Sequence, residues 1–226
     1  MRISAIIVTL NEEAHLPRLL ADLAAFKRAG HEIVVVDGGS VDATRRIARD
    51  GAHRVLRGEP GRASQMNAGA GVATGDVFWF LHADSRLDGD LFGCLASLSS
   101  PVWGRFDVRI THDAGRFHGF GLWLVAAMMN RRSCLSGIAT GDQGIFVSRD
   151  LFRHVGGFPR QALMEDIELS RRLKMAARPL CLHRCITTSG RRWCRRGLTR
   201  TVILMWWLRL AYWLGVSPTR LAAWYR

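Results

Sequence analysis

The chain has 226 residues, 48% hydrophobic and 23% charged, a size and balance that build a substantial core and exclude a disordered or fibrous chain. Its 32 Lys and Arg outweigh 19 Asp and Glu, and the resulting net charge of +13 calls for an anionic partner. That partner is nucleic acid, a phosphate-bearing small molecule or an anionic membrane surface.

Residues 3–10 are β-branched and apolar and read as a buried first strand. They resemble a signal peptide only superficially, because no small-residue cleavage site follows and Asn11-Glu12-Glu13 ends the run. Asn11 is expected to cap the next helix, with Glu12 and Glu13 in its first turn. Leu16, Leu19, Leu20, Leu23 and Phe26 recur at helical spacing, and Gly30 ends that element. Residues 32–36 form a second apolar strand, stopped by Asp37-Gly-Gly-Ser40. A short helix over 42–49, a short strand over 54–57, a helix over 62–73 and a buried strand over 77–81 follow.

After Asp84 the alternation stops. Strands are expected over 102–110, 137–147 and 179–188, separated by an apolar segment at 120–129 and a helix over 166–176. The stretch 201–216 is apolar and aromatic, with Arg209 its single charge. It falls short of the roughly 20 residues that cross a bilayer. Five cysteines show no CxxC pair; Cys181, Cys185 and Cys194 are spaced too loosely for a convincing zinc site, so reduced thiols in a cytosolic protein are expected.

Continuous apolar strands alternating with helices predict a parallel sheet covered on both faces. Ligands bind such sheets at the carboxyl ends of the strands, where Asn11, Asp37 and His82-Ala-Asp84 fall. A carboxylate on a rigid strand tip suits a divalent cation, and the acids of Met164-Glu-Asp-Ile-Glu168 at a helix start can supply a base. Taken singly, each of these is equally a solvated turn acid, and His82 is equally a packed core histidine. Taken in order, they suit group transfer from a phosphorylated donor. A dinucleotide site is disfavoured because no GxGxxG follows the first strand, and no GxxxxGK[ST] loop exists.

Ile6-Ile-Val-Thr-Leu-Asn-Glu-Glu13 and Val34-Val-Val-Asp-Gly-Gly-Ser-Val-Asp-Ala-Thr44 open the chain. Gly61-Arg-Ala-Ser-Gln-Met-Asn67, Phe80-Leu-His-Ala-Asp84, Gly141-Asp-Gln-Gly144 and Glu165-Asp166 follow. This ordered set resembles family-2 glycosyltransferases, and within them the compact bacterial group labelled radical-SAM/selenodomain-associated transferases. The resemblance covers nearly the whole chain. It implies an α/β GT-A fold, the nucleotide-diphospho-sugar transferase fold: a mostly parallel central sheet flanked by helices, with a C-terminal apolar and aromatic helix. A single domain is expected, with a nucleotide-binding half over 1–84, an acceptor and catalytic half over 85–193 and a helical appendage over 194–226.

The resemblance also implies roles. Thr9, Asn11 and Glu12 would form the nucleotide-contacting first loop, Asp37 would bond the base, and Arg62 and Asn67 would line the nucleotide. Asp84 would be the last acid of a DxD motif, binding Mg²⁺ or Mn²⁺ across the donor phosphates. Asp166 would take the proton from an acceptor hydroxyl, with Glu165 beside it. Ser189-Gly-Arg-Arg-Trp193 resembles QxxRW, giving Arg191, Arg192 and Trp193 places near the diphosphate and acceptor, although Trp193 is nearly as well read as core. The sequence departs from the pattern twice: His82 replaces the first DxD acid, and Ser189 replaces the Gln, which argues against a processive synthase.

The expected function is metal-dependent, inverting transfer of a sugar from a nucleoside-diphosphate sugar, UDP favoured, to an acceptor hydroxyl. Residues 120–129 and 201–216, the latter flanked by arginines, suit a membrane interface presenting a lipid acceptor, and equally suit a sheet cover or a homodimer interface. Peripheral attachment to the inner face of the cell membrane is the matching location. A sugar-nucleotide pyrophosphorylase would need a glycine-rich basic loop where Asn11-Glu12-Glu13 stands. A nucleic-acid-binding role fits the charge but has no supporting motif.

Overall fold

The computed structural model describes residues 1–99, 101–111 and 116–225, without the side chains of residues 116–118, 192 and 195. Strand β1 (Ile3–Thr9) leads through a loop to helices α1 (Leu16–Asp22) and α2 (Ala24–Arg28) and then to β2 (Glu32–Asp37). Helix α3 (Thr44–Gly51), strand β3 (Arg54–Arg57), helix α4 (Arg62–Val72) and strand β4 (Val77–His82) complete the first half. These strands run parallel, β2 and β4 on either side of β1, and every residue of β1, β2 and β4 is buried. Successive side chains point to opposite faces. Thus Ile3, Ala5, Ile7, Ile33, Val35, Trp79 and Leu81 join one core, while Ile6, Val8, Val34, Val36, Phe78 and Phe80 join the other. Two covered faces are why these strands read as unbroken apolar runs.

At the sheet end opposite the strand tips, a buried carboxylate ties the layers together. Glu32 accepts hydrogen bonds from Ser4 Oγ at 2.6 Å and from the Thr74 backbone at 2.7 Å, while Ser4 Oγ accepts from Gly75 N–H at 2.8 Å.

The second half extends the same sheet with β5 (Arg86–Leu87), helix α5 (Leu91–Ala96), β6 (Trp103–Thr111) and the long helix α6 (Arg116–Ser136). It continues with β7 (Phe146–Ser148), α7 (Arg149–His154), α8 (Glu165–Ala176) and β8 (Leu180–Ser189). The strand order is β3-β2-β1-β4-β7-β6-β8-β5. Strand β7 runs antiparallel to both β4 and β6, whereas β6 and β8 are parallel. Helices α9 (Arg191–Arg196), α10 (Leu198–Trp213) and α11 (Pro218–Tyr225) close the chain. Among the described residues no helix is long and apolar enough to cross a membrane; the 16 residues of α10 extend about 24 Å.

Several expectations are corrected. Asn11 does not cap a helix: its backbone is left-handed (φ 54°), its side chain accepts from Val41 N–H, and α1 starts only at Leu16. The expected strand over 137–147 shrinks to Phe146–Ser148, because Gly137 and Gly144 take positive φ and Gly141–Gln143 turns as a 3-10 helix. The cysteines are not all reduced: Cys134 at the end of α6 and Cys181 on β8 form a disulfide with Cα atoms 5.9 Å apart. That proximity arises from α6 packing along β6 beside β8, which the spacing in sequence does not reveal. Cys94, Cys185 and Cys194 are free thiols.

Gly104 on β6 sits between two neighbouring strands, paired with Phe146 of β7 and Leu180 of β8. A Cβ there would meet the Leu180 carbonyl oxygen and come within 2.7 Å of the Phe146 ring. Gly104→Ala should therefore destabilise the fold by about 1–3 kcal/mol, read as a lower urea midpoint with unchanged slope. An unchanged midpoint would contradict this packing.

Candidate active site

Parallel register brings the strand tips together. Thr9 pairs with Asp37 and Val8 with His82, so the loops after β1, β2 and β4 open on one edge. A polar cavity of about 350 Å³ lies there, lined by Thr9, Glu12, Arg62, His82, Asp84 and Arg191 among others. Ser189 at the end of β8 and Trp193 of α9 also line it.

Arg191 is held in place on three sides. It donates from Nη2 to Glu12 Oε1 at 2.8 Å, its Nη1 lies 2.8 Å from His15 Nε2, and Asp84 Oδ2 lies 3.9 Å away. Glu12 Oε2 is buried and has no hydrogen-bond partner. Asp84 leaves its carboxylate towards the cavity, with Arg191 as its ion-pair partner among the described residues. The side chain of Arg192 lies outside the described residues.

His82 is buried and its Nε2 also lacks a partner. Burial pushes its pKa down, as does Arg62, against the pull of Asp142, Asp84 and Asp166, so the ring is held towards its neutral form. Gly141 fits directly against it: a Cβ at Gly141 would lie 2.5 Å from Nε2.

Three expected site residues turn to internal work. Asp37 is fully buried and accepts from the N–H groups of Gly39 and Ser40 at 3.1 and 3.0 Å and from the hydroxyls of Thr9 and Ser40. It shapes the loop after β2 and does not line the cavity. Asn11 latches that same loop to its own, accepting from Val41 N–H and donating its backbone N–H to Ser40 Oγ at 2.8 Å. Asn67 does not face the cavity either: its amide donates to the Phe158 carbonyl at 2.8 Å and accepts from Phe158 N–H at 2.9 Å, fastening α4 to the segment before α8.

The polar cavity adjoins a second one of about 430 Å³, and Arg62, Asp142 and Trp193 line both. This second cavity is mostly apolar, walled by Met128 and Met129 of α6, Leu163 and Met164 just before α8, and Met205 and Trp206 of α10. Glu165 and Asp166 line it at the start of α8. The preceding residue, Met164, takes a left-handed backbone (φ 65°). That conformation costs a bulky residue on the order of 1 kcal/mol and is tolerated where surrounding structure enforces it. Asp166 accepts from Gly141 N–H at 2.9 Å and from Ile167 N–H at 2.8 Å, which fixes the carboxylate in the apolar cavity next to Asp142, a residue that lines both. Glu165 is buried, and that burial, with the neighbouring Asp166 charge, pushes its pKa up to about 7.

Sequence reasoning missed several residues. Gln65 braces the tips of β1 and β2, donating to the carbonyls of Thr9 at 3.0 Å and Val36 at 2.9 Å. Asp142, inside the Gly141-Asp-Gln-Gly144 motif, stands between the cavities. Arg132 and Arg209 line the apolar one. Arg209 had a signal, as the lone charge in an apolar helix.

Among the described residues no three His, Cys, Asp or Glu side chains converge as a metal site. The donor set fits a divalent cation shared with a bound diphosphate, through the cavity-facing Asp84 carboxylate, rather than one caged by protein alone.

The family model for glycosyl transferase family 2 matches residues 4–113. Among curated relatives, the beta-monoglucosyldiacylglycerol synthase of Synechocystis sp. is 26% identical over 193 residues, covering 77% of this chain and 40% of its own. The chain thus spans about two fifths of that relative's length. Residues 1-349 of TarS from S. aureus, in complex with UDP, superpose with a TM-score of 0.67 at 19% identity, over 84% of this chain and 60% of that one. Glucosyl-3-phosphoglycerate synthase from Mycobacterium tuberculosis, with Mn²⁺, UDP and glucosyl-3-phosphoglycerate, gives 0.56 at 20% identity, over 83% and 70%. These structures share the fold: an α/β GT-A sheet flanked by helices, mostly parallel with antiparallel strands at β7 and β5. The motifs from Ile6 to Asp84 fall within the matched residues, and over 4–113 the chain is similar to glycosyl transferase family 2.

Proposed function

We propose that the protein transfers a sugar from a nucleoside-diphosphate sugar, UDP favoured, to a hydroxyl of an apolar acceptor, with inversion. The observation that carries this reading is the pair of adjoining cavities, one polar at the strand tips and one apolar, with Asp142 lining both and Asp166 lining the apolar one, bonded to Gly141 beside Asp142. The fold is that of proteins solved with UDP, and the polar cavity has the groups a nucleotide needs. Glu12 Oε2, buried without a partner, suits a ribose hydroxyl donor. Arg191, held by Glu12 and His15, suits the diphosphate as a forked donor.

In this reading the acceptor enters through the apolar cavity. Asp166 takes the proton of its hydroxyl while that oxygen bonds to the anomeric carbon. The bond from that carbon to the β-phosphate oxygen breaks, and the nucleoside diphosphate leaves with the electron pair. Mg²⁺ or Mn²⁺ held at Asp84 would neutralise charge developing on that leaving group. One displacement inverts the anomeric centre. His82, kept neutral and packed against Gly141, leaves the cation a single protein carboxylate, so binding of metal and of donor are expected to depend on each other.

An apolar or lipid acceptor is supported by the wall of methionines, Leu163 and Trp206. Helices α6 and α10 also turn Phe120, Trp123, Trp207 and Trp213 outward. Aromatic side chains beside a strongly basic surface suit a lipid headgroup boundary, so peripheral attachment to a membrane belongs to the same reading.

Asp166→Asn should retain UDP binding while transfer falls by about 10²–10⁴-fold, measured as UDP release against calorimetric binding; full activity in this variant would remove Asp166 from the base role. Asp84→Ala should weaken Mn²⁺-dependent UDP binding by roughly tenfold or more. Equal binding with and without Mn²⁺ in both proteins would end the metal assignment.

Glu165 supplies a test by stability. Its raised pKa means that folding favours the protonated form, a contribution complete below about 4.5 and lost as pH rises through about 7. Melting curves between pH 4.5 and 8 should therefore fall more steeply for the native protein than for Glu165→Gln. Parallel curves would contradict a buried, proton-holding Glu165.

A further inference from the structure

Two arginines in the apolar cavity are not needed by the transfer chemistry. Arg132, near the end of α6, has Nε and Nη2 buried with no hydrogen-bond partner, and its Nη1 reaches the Ile138 carbonyl only at 3.4 Å. Arg209, in the middle of α10, lines the same cavity. It has neither a side-chain hydrogen bond nor an ion pair among the described residues. Both also line an adjoining groove beside α8 and the α10–α11 turn. Around them stand Met128, Met129, Ile167 and Met205. The acid that acts on both is Asp166, and it forms no ion pair with either; its two oxygens already accept backbone N–H groups.

Burial first, then the Arg209 charge, lowers the Arg132 pKa to about 10, and burial depresses Arg209 as well. Two guanidinium groups placed together in an apolar wall, one with orphaned donors, lose hydration that no protein acceptor replaces. Packing alone would be better served by Leu or Met. A doubly charged phosphate matches both charges and the forked donors at once.

We infer that Arg132 and Arg209 form an anchoring subsite for a phosphate group borne by the apolar acceptor, beside the hydroxyl that is glycosylated. This rests on reading the apolar cavity as the acceptor site and narrows the acceptor to a phosphorylated amphiphile. The phosphate sits on the α6–α10 side of Asp166, its apolar chain lies along the methionine wall, and the hydroxyl faces the donor.

The test follows the fluorescence of the full chain, since Trp193 and Trp206 line the cavity. Dodecyl phosphate, dodecanol and inorganic phosphate are titrated separately into the native protein, Arg209→Gln and Arg132→Gln, and UDP with Mn²⁺ is titrated by calorimetry in parallel. The native protein should bind dodecyl phosphate at least about tenfold more tightly than dodecanol. Arg209→Gln should bring the two close together while leaving dodecanol and UDP binding unchanged. Equal affinity for dodecyl phosphate and dodecanol in the native protein would overturn the subsite, with no variant needed should Arg132→Gln fail to fold. Inorganic phosphate binding as tightly as dodecyl phosphate would overturn the amphiphile and mark a site for free anions. Selective dodecyl phosphate binding without UDP binding would support the subsite and strike the sugar-donor reading instead. UDP binding without that selectivity would strike the subsite alone.

Discussion

The parallel register of β2, β1 and β4 is the constraint from which the site follows. Three strands buried on both faces cannot slip without turning a whole apolar row to the wrong side, so the pairs Thr9–Asp37 and Val8–His82 are fixed. The loops beyond them must then open on one edge. Asp37 and Asn11 spend their polar atoms on holding those loops together, and Gln65 ties the tips of β1 and β2 from α4. The groups left facing the cavity, Glu12, Asp84 and Arg191, are few and are held by one another. This rigidity suits a site that must orient a flexible diphosphate.

Much of the first half was legible because its signal is local. Unbroken β-branched and apolar runs, stopped by Asn-Glu-Glu, Asp-Gly-Gly and His-Ala-Asp in turn, identify buried strands and their tips directly. The internal bonds of Asp37, Asn11 and Asn67 were not legible for a related reason: these residue types bond backbone groups as readily as they bond ligands. Sequence position alone does not say which. Asn67 lies on the correct helix but on the side facing Phe158. Asp166 and Glu165 were identifiable as an acidic helix start, whereas the raised pKa of Glu165 depends on burial that only the folded chain reveals.

The second half was less legible because its contacts are long-range. Gly137, Gly141 and Gly144 broke an expected strand into a turn, and that turn is what brings Gly141 N–H to Asp166 and sets Asp142 between the cavities. The apolar cavity is assembled from α6, α8, α10 and α11, so no single segment foretells it. Arg132 looks like an ordinary charge near a helix end, and only its orphaned nitrogens in the folded chain distinguish it. The Cys134–Cys181 disulfide likewise reflects α6 lying along β6 next to β8.

In the proposed reading, the polar cavity at the strand tips holds a nucleoside diphosphate whose phosphates lie between Asp84 and Arg191. A crystal structure of the native protein grown with UDP and Mn²⁺ tests it most directly. The diphosphate is expected between those two side chains, with the cation on Asp84 and the ribose near Glu12. UDP bound elsewhere, or a cavity without nucleotide at saturating UDP, would contradict it.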